Sequence, residues 1–291
     1  MPMPNAAVGG QTGAHRPCPL AERSTETDPL TDAPAPWMLR RCRETGFVFL
    51  ANPPDQSTYR EAFAWQETFQ AERVRRREEE PALTAASGVY KHVRHHFLKR
   101  DRVVSIARRV IMENDADPFR LVDVGCAAGK LLSRLLRSLP RDVACRVVPM
   151  GIEISTDLAK QAHAFLAEHG GRCLQTAGAE ALGAMEASSV HLVVLSCVLE
   201  HELRPLDLLR GCRSALVPAG RVLVKVPNFE CFGRRLRGRR WCGYRWPDHV
   251  NYFTPATLAE MAARAGLTVE RMNLADRWPL SDSLYAILER P

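Results

Sequence analysis

The segment Leu121-Val122-Asp123-Val124-Gly125-Cys126-Ala127-Ala128-Gly129-Lys130 carries the strongest structural signal in this chain of 291 residues. It begins as a buried strand, passes through a turn of small residues and enters a helix near Lys130. Small residues let the backbone approach a ligand closely, and the free N–H groups at a helix start attract an anionic group. The segment therefore predicts a ligand site where a parallel strand ends.

Strands and helices alternate regularly around this segment. Strands are predicted over 121–124, 147–154, 172–176, 190–196, 220–226, 267–274 and 284–288, and helices over 130–139, 156–168, 204–216 and 255–265. Thr254 precedes Pro255 and is the predicted N-cap of the last helix. Alternation of this kind is typical of a doubly wound α/β fold, in which helices cover both faces of a parallel sheet.

Composition excludes several classes of protein. Hydrophobic residues make up 46% of the chain and charged residues 25%, which are values of a folded protein rather than a disordered one. The longest apolar run, Leu192 to Leu199, is far shorter than the roughly 20 residues of a membrane helix. The nine cysteines form no CxxC pair, and no secretory signal pattern is present. We therefore expect a cytoplasmic protein with reduced thiols and no membrane partner.

The glycine spacing narrows the choice of ligand. A dinucleotide fingerprint needs G-x-G-x-x-G, whereas three residues separate Gly125 from Gly129. A Walker-type loop needs Gly-Lys-Ser/Thr, whereas Leu131 follows Lys130. Glu153 ends the next predicted strand, where a carboxylate can accept hydrogen bonds from ribose hydroxyls. Its alternative role is a favourable interaction with the dipole of the following helix.

Six segments, in order, resemble the class I S-adenosylmethionine-dependent methyltransferases, and the resemblance covers residues 119–289. The segments are Asp123–Gly129, Glu153, Ala177-Gly178-Ala179-Glu180, Leu195–His201, Leu216–Gly220 and His249–Pro255. This resemblance implies a Rossmann-like sheet of seven strands with the last strand antiparallel. It also implies an enzyme that binds S-adenosylmethionine and transfers its methyl group.

The resemblance further implies which residues bind this cofactor. They are Asp123, Gly125, Cys126, Ala127, Gly129, Glu153, Ile154, Ala179, Glu180 and Ser196. Two of them depart from the family pattern, because Ala127 stands where glycine is usual and Ala179 where an aspartate often holds the adenine amino group. Glu180 or a backbone carbonyl would then have to make the adenine contact.

Two histidines are candidate catalytic bases, since an oxygen or nitrogen acceptor can require removal of a proton. His201 lies just past the strand 190–196, where the transferred methyl would project. His249 lies in a loop that would cover the substrate, beside Asp248 as its candidate orienting group. The alternative for both histidines is a structural role. No metal site is predicted.

Five arginines are concentrated in Arg234–Trp241. They indicate a solvated loop, a site for an anionic substrate, or a nucleic-acid surface on which Trp241 and Trp246 stack bases. We expect methyl transfer to an oxygen, nitrogen or carbon of a small polar metabolite, with the arginines favouring an anionic one. An RNA methyltransferase and a non-catalytic partner subunit are the alternatives, and the sequence leaves the oligomeric state open.

Two segments are expected before a methyltransferase domain over residues 86–291. Residues 1–36 are rich in proline and lack an apolar period, which predicts a flexible tail. Residues 37–85 are expected to form a small segment made of a strand and a helix, the helix lying over 58–80.

The N-terminal part also resembles the small zinc ribbon that some members of this methyltransferase branch carry. Cys18 and Cys42 match one cysteine of each pair, but Ala21 and Thr45 stand where the second cysteines would be. His15 is a third candidate ligand. A structural zinc site needs four ligands, so this segment is interpreted as a remnant that has lost its zinc.

Overall fold

The computed structural model describes residues 15–54, Val74 and residues 101–291. The helix predicted over 58–80, apart from Val74, and the first 14 residues of the predicted tail lie outside the described residues. The strands are β1 (Thr27–Leu30), β2 (Leu39–Cys42), β3 (Val48–Leu50), β4 (Phe119–Val124), β5 (Val147–Glu153), β6 (Arg172–Gln175), β7 (Val190–Ser196), β8 (Leu216–Pro227), β9 (Asn251–Tyr252), β10 (Thr268–Arg271) and β11 (Ser283–Glu289). The helices are α1 (Arg102–Met112), α2 (Lys130–Ser138), α3 (Arg141–Ala144), α4 (Thr156–Ala167), α5 (Gly178–Ala184), α6 (Pro205–Ala215), α7 (Phe232–Arg237) and α8 (Pro255–Arg264).

Seven strands form the main sheet in the order β10-β11-β8-β7-β4-β5-β6. Strands β4 to β8 pair in parallel, whereas β11 runs antiparallel to β8. The predicted doubly wound sheet with an antiparallel last strand is therefore confirmed. The chain leaves β4 toward β5 on one side and returns to β7 on the other, so the strand order switches at β4. Open α/β sheets bind ligands at such a switch point.

Apolar residues at helical spacing attach α1 to the main sheet. Val103, Ile106, Val110 and Ile111 are buried and pack in one core cluster with Leu121 of β4. The helix begins at Asp101, whose side chain accepts hydrogen bonds from the N–H groups at the first turn. No described helix has the length and hydrophobicity needed to cross a membrane.

A second sheet joins the N-terminal part to the rest of the chain. Its four strands lie in the order β1-β2-β3-β9, and Val48 and Phe49 of β3 pair with β9. The prediction of a flexible tail over 1–36 was wrong from residue 15 onward, since β1 lies there and Cys18 and Leu20 are buried. Apart from the short strand β1, this stretch consists mainly of tight turns, so it has no apolar period that a sequence pattern could detect.

The two zinc-ribbon-like turns meet in this small sheet. The Cys18 thiol lies 3.6 Å from the hydroxyl of Thr45, and the Cys42 thiol lies 3.2 Å from the hydroxyl of Thr25. The N–H of Thr45 donates to the Cys42 sulfur over 3.5 Å. Threonine hydroxyls therefore occupy the space around both thiols.

Candidate active site

The small-residue turn between β4 and α2 is the first part of the site. Gly129 is the N-cap of α2 in a left-handed conformation, with φ +75°, and no side chain caps the helix. The N–H groups of Gly125 and Cys126 donate to the carbonyl of Ile152 over 2.8 and 3.1 Å. The turn is thus fixed to β5, and its uncapped helix start is open to an anionic group.

Glu153 fastens the same turn from the end of β5. Its Oε2 accepts the N–H of Ala127 and its Oε1 accepts the N–H of Ser155, each over 2.9 Å. The turn also packs closely on Gly151, where an added Cβ would lie 2.6 Å from the Cys126 sulfur. Each carboxylate oxygen retains capacity for a further hydrogen bond from a ligand.

Asp123 is a buried carboxyl at the end of β4. Its side chain is only 2% exposed, and Oδ2 accepts no hydrogen bond from the described residues. Burial, with the charge of Glu153 added to it, raises the pKa of Asp123 to about 8. An unpartnered buried carboxylate of this kind is suited to a cationic ligand group.

A cavity of about 360 Å³ lies over this edge of the sheet. Of the residues predicted to bind the cofactor, Asp123, Gly125, Cys126, Ala127 and Ser196 line it. Gly129 and Glu153 support its wall through the contacts above. The lining also includes five polar residues for which the sequence predicts no binding role, namely Asp101, Lys130, Arg134, Gln161 and Lys225. Of these residues, Lys225 is the one that the sequence could have indicated, because a lysine within the apolar run 222–226 is unusual.

Three predicted cofactor residues lie away from this cavity. Ile154 is 47% exposed beside Glu153. Ala179 and Glu180 lie on α5, where Glu180 accepts a hydrogen bond from Thr176 and lines a different cavity of about 790 Å³. The adenine contact expected of Ala179 and Glu180 therefore stays a prediction.

The cavity residues fit S-adenosylmethionine, the ligand that the resemblance implies. The first-turn N–H groups of α2 can receive its carboxylate, and the unpartnered Oδ2 of Asp123 can receive its ammonium. The spare acceptor capacity of Glu153 suits the ribose hydroxyls. Charge and hydrogen-bonding capacity therefore match this ligand group by group.

The two predicted catalytic histidines are neighbours in space. The rings of His201 and His249 meet edge to face, with centroids 4.7 Å apart. His201 Nδ1 lies 2.9 Å from the backbone carbonyl of Asp248, and His249 Nδ1 lies 2.8 Å from that of Gly243. A carbonyl can only accept, so both rings carry a proton on Nδ1, and a neutral ring then has its lone pair on Nε2.

Asp248 serves a different histidine from the one expected. Its carboxylate Oδ1 lies 3.5 Å from His201 Nδ1, and its Oδ2 accepts from Arg245 over 2.9 Å. Burial lowers the pKa of His201, but the hydrogen bond and charge of Asp248 outweigh this and raise it. Burial and the neighbouring His201 lower the pKa of His249 well below its usual value. The Asp248 carboxylate therefore contacts the ring of His201, whereas Nδ1 of His249 donates to the Gly243 carbonyl.

Glu200 is a buried acid for which the sequence predicts no role. Its side chain is fully buried, and neither carboxylate oxygen accepts a hydrogen bond from the described residues. One ligand atom from each of Glu200, His201 and His249 lies within 4.8 Å of the other two. We name these three residues the Glu-His-His cluster. Burial raises the pKa of Glu200.

Asn251 and Arg16 hold together the two loops that carry the cluster. The Asn251 amide donates to the carbonyls of Leu199 and Glu202 over 2.8 and 2.6 Å. Arg16 donates to Asn251 Oδ1 over 2.9 Å and to the carbonyl of Val250 over 2.6 Å. The N-terminal part of the chain thus stabilises the site, which the sequence analysis did not predict.

The Glu-His-His cluster adjoins the cofactor cavity. The N–H of Cys197, which directly follows β7, donates to the carbonyl of Lys225 over 2.8 Å, and Lys225 lines the cavity. On the same loop, Val198 lies 3.2 Å from where a Cβ on Gly125 would be. One short loop therefore contacts the glycine turn and carries Glu200 and His201.

The arginine-rich segment is partly structural. Arg234 lies over the Phe229 ring at 4.0 Å and donates to the Phe229 carbonyl, whereas Arg235, Arg239 and Arg240 are exposed. Trp241 is fully buried and its Nε1 donates to Asp282 over 2.8 Å. Trp241 cannot stack a nucleic-acid base, so this part of the nucleic-acid interpretation was wrong.

Relatives of known name match more than half of this chain. The ubiquinone biosynthesis O-methyltransferase of Cupriavidus pinatubonensis is 29% identical over 175 residues, which cover 58% of this chain and 67% of that protein. The protein of the same name from Cereibacter sphaeroides is 28% identical over 188 residues, covering 59% and 72%.

Solved structures show the same fold at low identity. The 1,6-didemethyltoxoflavin-N1-methyltransferase of Burkholderia thailandensis, with bound 1,6-didemethyltoxoflavin and S-adenosylhomocysteine, has a TM-score of 0.50 at 11% identity and covers 90% of this chain and 99% of that one. The CurJ carbon methyltransferase has a TM-score of 0.51 at 15% identity, covering 83% and 72%.

A family model described as a methyltransferase domain matches residues 87–271, which is more than half of the chain. This range contains the glycine turn, Glu153 and the Glu-His-His cluster. The chain therefore belongs to the methyltransferase-domain family and is a class I enzyme with S-adenosylmethionine as its methyl donor.

Proposed function

We propose that this methyltransferase acts on an oxygen atom of a small polar molecule, with His201 as its catalytic residue and His249 as the residue that positions His201. The observation that carries the proposal is the Glu-His-His cluster beside the cofactor cavity. Three polar side chains converge there, and the carboxylate of Glu200 has no hydrogen-bond partner among the described residues. An acceptor with a hydroxyl group supplies the missing polar contacts.

Alignment is the main contribution of the protein to the reaction. S-adenosylmethionine supplies an electrophilic methyl group on its sulfonium sulfur when it is bound. Asp123, the amides of α2 and Glu153 hold the donor in one orientation, which converts a bimolecular displacement into a positioned one. His201 is partly exposed, and its Nε2 accepts the hydrogen bond of the acceptor hydroxyl. His249 lies behind it and contacts its ring edge.

Two further features support the choice of acceptor. The relatives named ubiquinone biosynthesis O-methyltransferase favour an oxygen acceptor. The exposed Arg235, Arg239 and Arg240 follow β8, whose carboxyl end lies on the same edge of the sheet as the cavity. These guanidinium groups favour an acceptor that also carries a carboxylate or phosphate.

Two variants separate cofactor binding from methyl transfer. Glu153→Ala should weaken S-adenosylmethionine binding by about 100-fold in calorimetry, equivalent to about 2.7 kcal/mol, because both the ribose contact and the tether to Ala127 are lost. His201→Asn should leave that affinity within about twofold but reduce turnover by roughly 100-fold or more, as expected for loss of an acid–base group. Turnover is followed with labelled methyl donor and a panel of small hydroxylated carboxylates and phenols.

Glu168→Ala is the matched control for the cofactor measurement. Glu168 is also an acid, at the end of α4, but it is exposed and does not line the 360 Å³ cavity. Its affinity should match that of the unmodified protein. Unchanged binding in Glu153→Ala, or full turnover in His201→Asn, would contradict the proposal.

A further inference from the structure

The Glu-His-His cluster contains the ligand types of a metal centre. Two imidazoles and one carboxylate offer ligand atoms that lie within 4.8 Å of one another. Zinc bonds to such atoms are about 2.0–2.2 Å in a tetrahedral arrangement, so ligand atoms of one ion lie about 3.4 Å apart. Side-chain adjustments of roughly one ångström therefore bring all three atoms onto one ion.

Both histidines are already oriented as metal ligands usually are. Their Nδ1 atoms bond the carbonyls of Asp248 and Gly243. In metal centres the ring nitrogen that does not bind the ion commonly donates to a carbonyl or carboxylate, which fixes the tautomer and the ring orientation. The lone pair of each neutral ring is then on Nε2, the atom that would bind the ion.

The state of Glu200 independently indicates a missing positive partner. Both its oxygens are buried, and neither accepts a hydrogen bond from the described residues. His201, Lys225 and Arg245 act on Glu200 through charge, the Cys197 thiol and the Glu200 backbone lie near its carboxylate, and Arg245 donates to Asp248. Burying a carboxylate without an ion-pair contact is costly, and a coordinated cation removes this cost.

We infer that Glu200, His201 and His249 bind one divalent metal ion of the kind that prefers imidazole ligands, such as Zn²⁺. Three protein ligands leave at least one coordination position open. Ions enter at the His201 side chain, which is 22% exposed while Glu200 and His249 are buried. This inference rests on the proposed function in one respect: with the ion bound, Nε2 of His201 binds the ion instead of the acceptor hydroxyl, and the acceptor oxygen takes the open position on the ion.

Direct metal binding tests the site without any acceptor. Full-length protein is treated with a chelator, dialysed against Zn²⁺ and assayed for metal content, and Co²⁺ is titrated while its visible spectrum is recorded. We expect about one ion per chain and a Co²⁺ spectrum without the charge-transfer bands of thiolate ligands. Glu200→Gln keeps the size of the side chain but removes the carboxylate, and should weaken binding at least tenfold.

Three further variants make the result specific. Glu202→Gln removes an acid two residues away that is not in the cluster, and Cys42→Ser removes a thiol of the ribbon-like sheet, so both should bind the ion as tightly as the unmodified protein. Asp248→Asn alters the group behind His201 and should weaken binding roughly tenfold. His201→Asn, at the partly exposed position, replaces Glu200→Gln if the latter fails to fold.

The inference is overturned if the unmodified protein retains no ion, if Glu200→Gln binds as well as the unmodified protein, or if Cys42→Ser abolishes binding. Cofactor affinity is measured on the same samples to verify folding. Stoichiometric metal binding with no methyl transfer to any oxygen acceptor would reject the proposed function and keep the metal site. Methyl transfer by metal-free protein at an unchanged rate would reject the role given to the ion.

Discussion

The glycine turn and the Glu-His-His cluster adjoin each other at the same edge of the sheet but are assembled in different ways. The turn and Glu153 come from two consecutive strands, and contacts such as Ala127 to Glu153 join residues 26 positions apart. The cluster combines two loops 47 positions apart, and Arg16 reaches them from 187 and 234 positions away. The proposed cofactor half of the site thus comes from two consecutive strands, whereas the proposed acceptor half, the Glu-His-His cluster, depends on contacts across the whole fold.

This difference determines where mutations should act. In the glycine turn, backbone conformation and hydrogen bonds to backbone amides maintain the structure. A side-chain change there should therefore mainly alter ligand affinity. In the cluster, hydrogen bonds between distant segments hold the side chains in place. Breaking those bonds should reduce stability and turnover together, since unfolding and loss of geometry share one cause.

The largest effect is expected for Asn251→Leu. The Asn251 amide makes two short hydrogen bonds to the carbonyls of Leu199 and Glu202, and it is 1% exposed. Leucine removes the amide donor from these two buried carbonyls and one acceptor from Arg16, which should lower the free energy of unfolding by about 3 kcal/mol. Denaturant titration measures the loss, and turnover should fall in parallel.

Asn114→Leu provides the comparison for this variant. The Asn114 side chain accepts a local hydrogen bond from the N–H of Ala116, and the bond from the distant Arg146 goes to the Asn114 backbone carbonyl, which the substitution keeps. Its cost should be about 1 kcal/mol, with unchanged turnover. Equal destabilisation by the two variants would mean that the two loops stay together without Asn251.

A smaller effect, on proton uptake, is expected at Asp123. Its folded pKa of about 8 lies above the usual value of 3.8, so the ligand-free protein loses stability as pH rises from about 4 to 8. Binding of the cationic ammonium favours the ionised carboxylate. At pH 7 the binding of S-adenosylmethionine should therefore release close to one proton.

Calorimetry in two buffers of different ionisation enthalpy measures that proton. Asp123→Asn cannot ionise and should release none, with an affinity about tenfold lower. Proton release that persists in Asp123→Asn would assign the titration to another group. A pH-independent affinity with no proton release in the unmodified protein would show that Asp123 does not meet the ammonium.

The sequence predicts the local half of the molecule well. Strand and helix alternation follows from patterns within a few residues, and the antiparallel last strand follows from the family resemblance. The conformation of the turn at Gly129 also follows, because small residues at a strand–helix junction permit a left-handed backbone. These features need no knowledge of which distant segments meet.

The parts that sequence reasoning missed depend on tertiary contacts. The contact between Asp248 and His201 depends on how two distant loops meet, which the sequence does not show. The burial of Trp241 requires the small sheet and its aromatic neighbours, which no local pattern reveals. The sequence predicts no role for Glu200, because it does not show that His249 lies beside this residue.

The smallest effect is expected at Thr254, which follows the segment that carries His249 and is fixed by a local rule. Thr254 Oγ1 accepts the N–H of Thr257 over 3.1 Å, and Thr257 Oγ1 accepts the N–H of Thr254 over 3.0 Å. Thr254→Ala removes this capping box and should cost about 1 kcal/mol of unfolding free energy. Cofactor affinity should be unchanged, because α8 does not line the cavity. Thr268→Ala, which loses only a 3.4 Å bond from an exposed strand, should cost less. If Thr254→Ala instead reduced turnover as strongly as Asn251→Leu, the cap would share in positioning His249, and the acceptor half would depend on local structure more than its long-range contacts indicate.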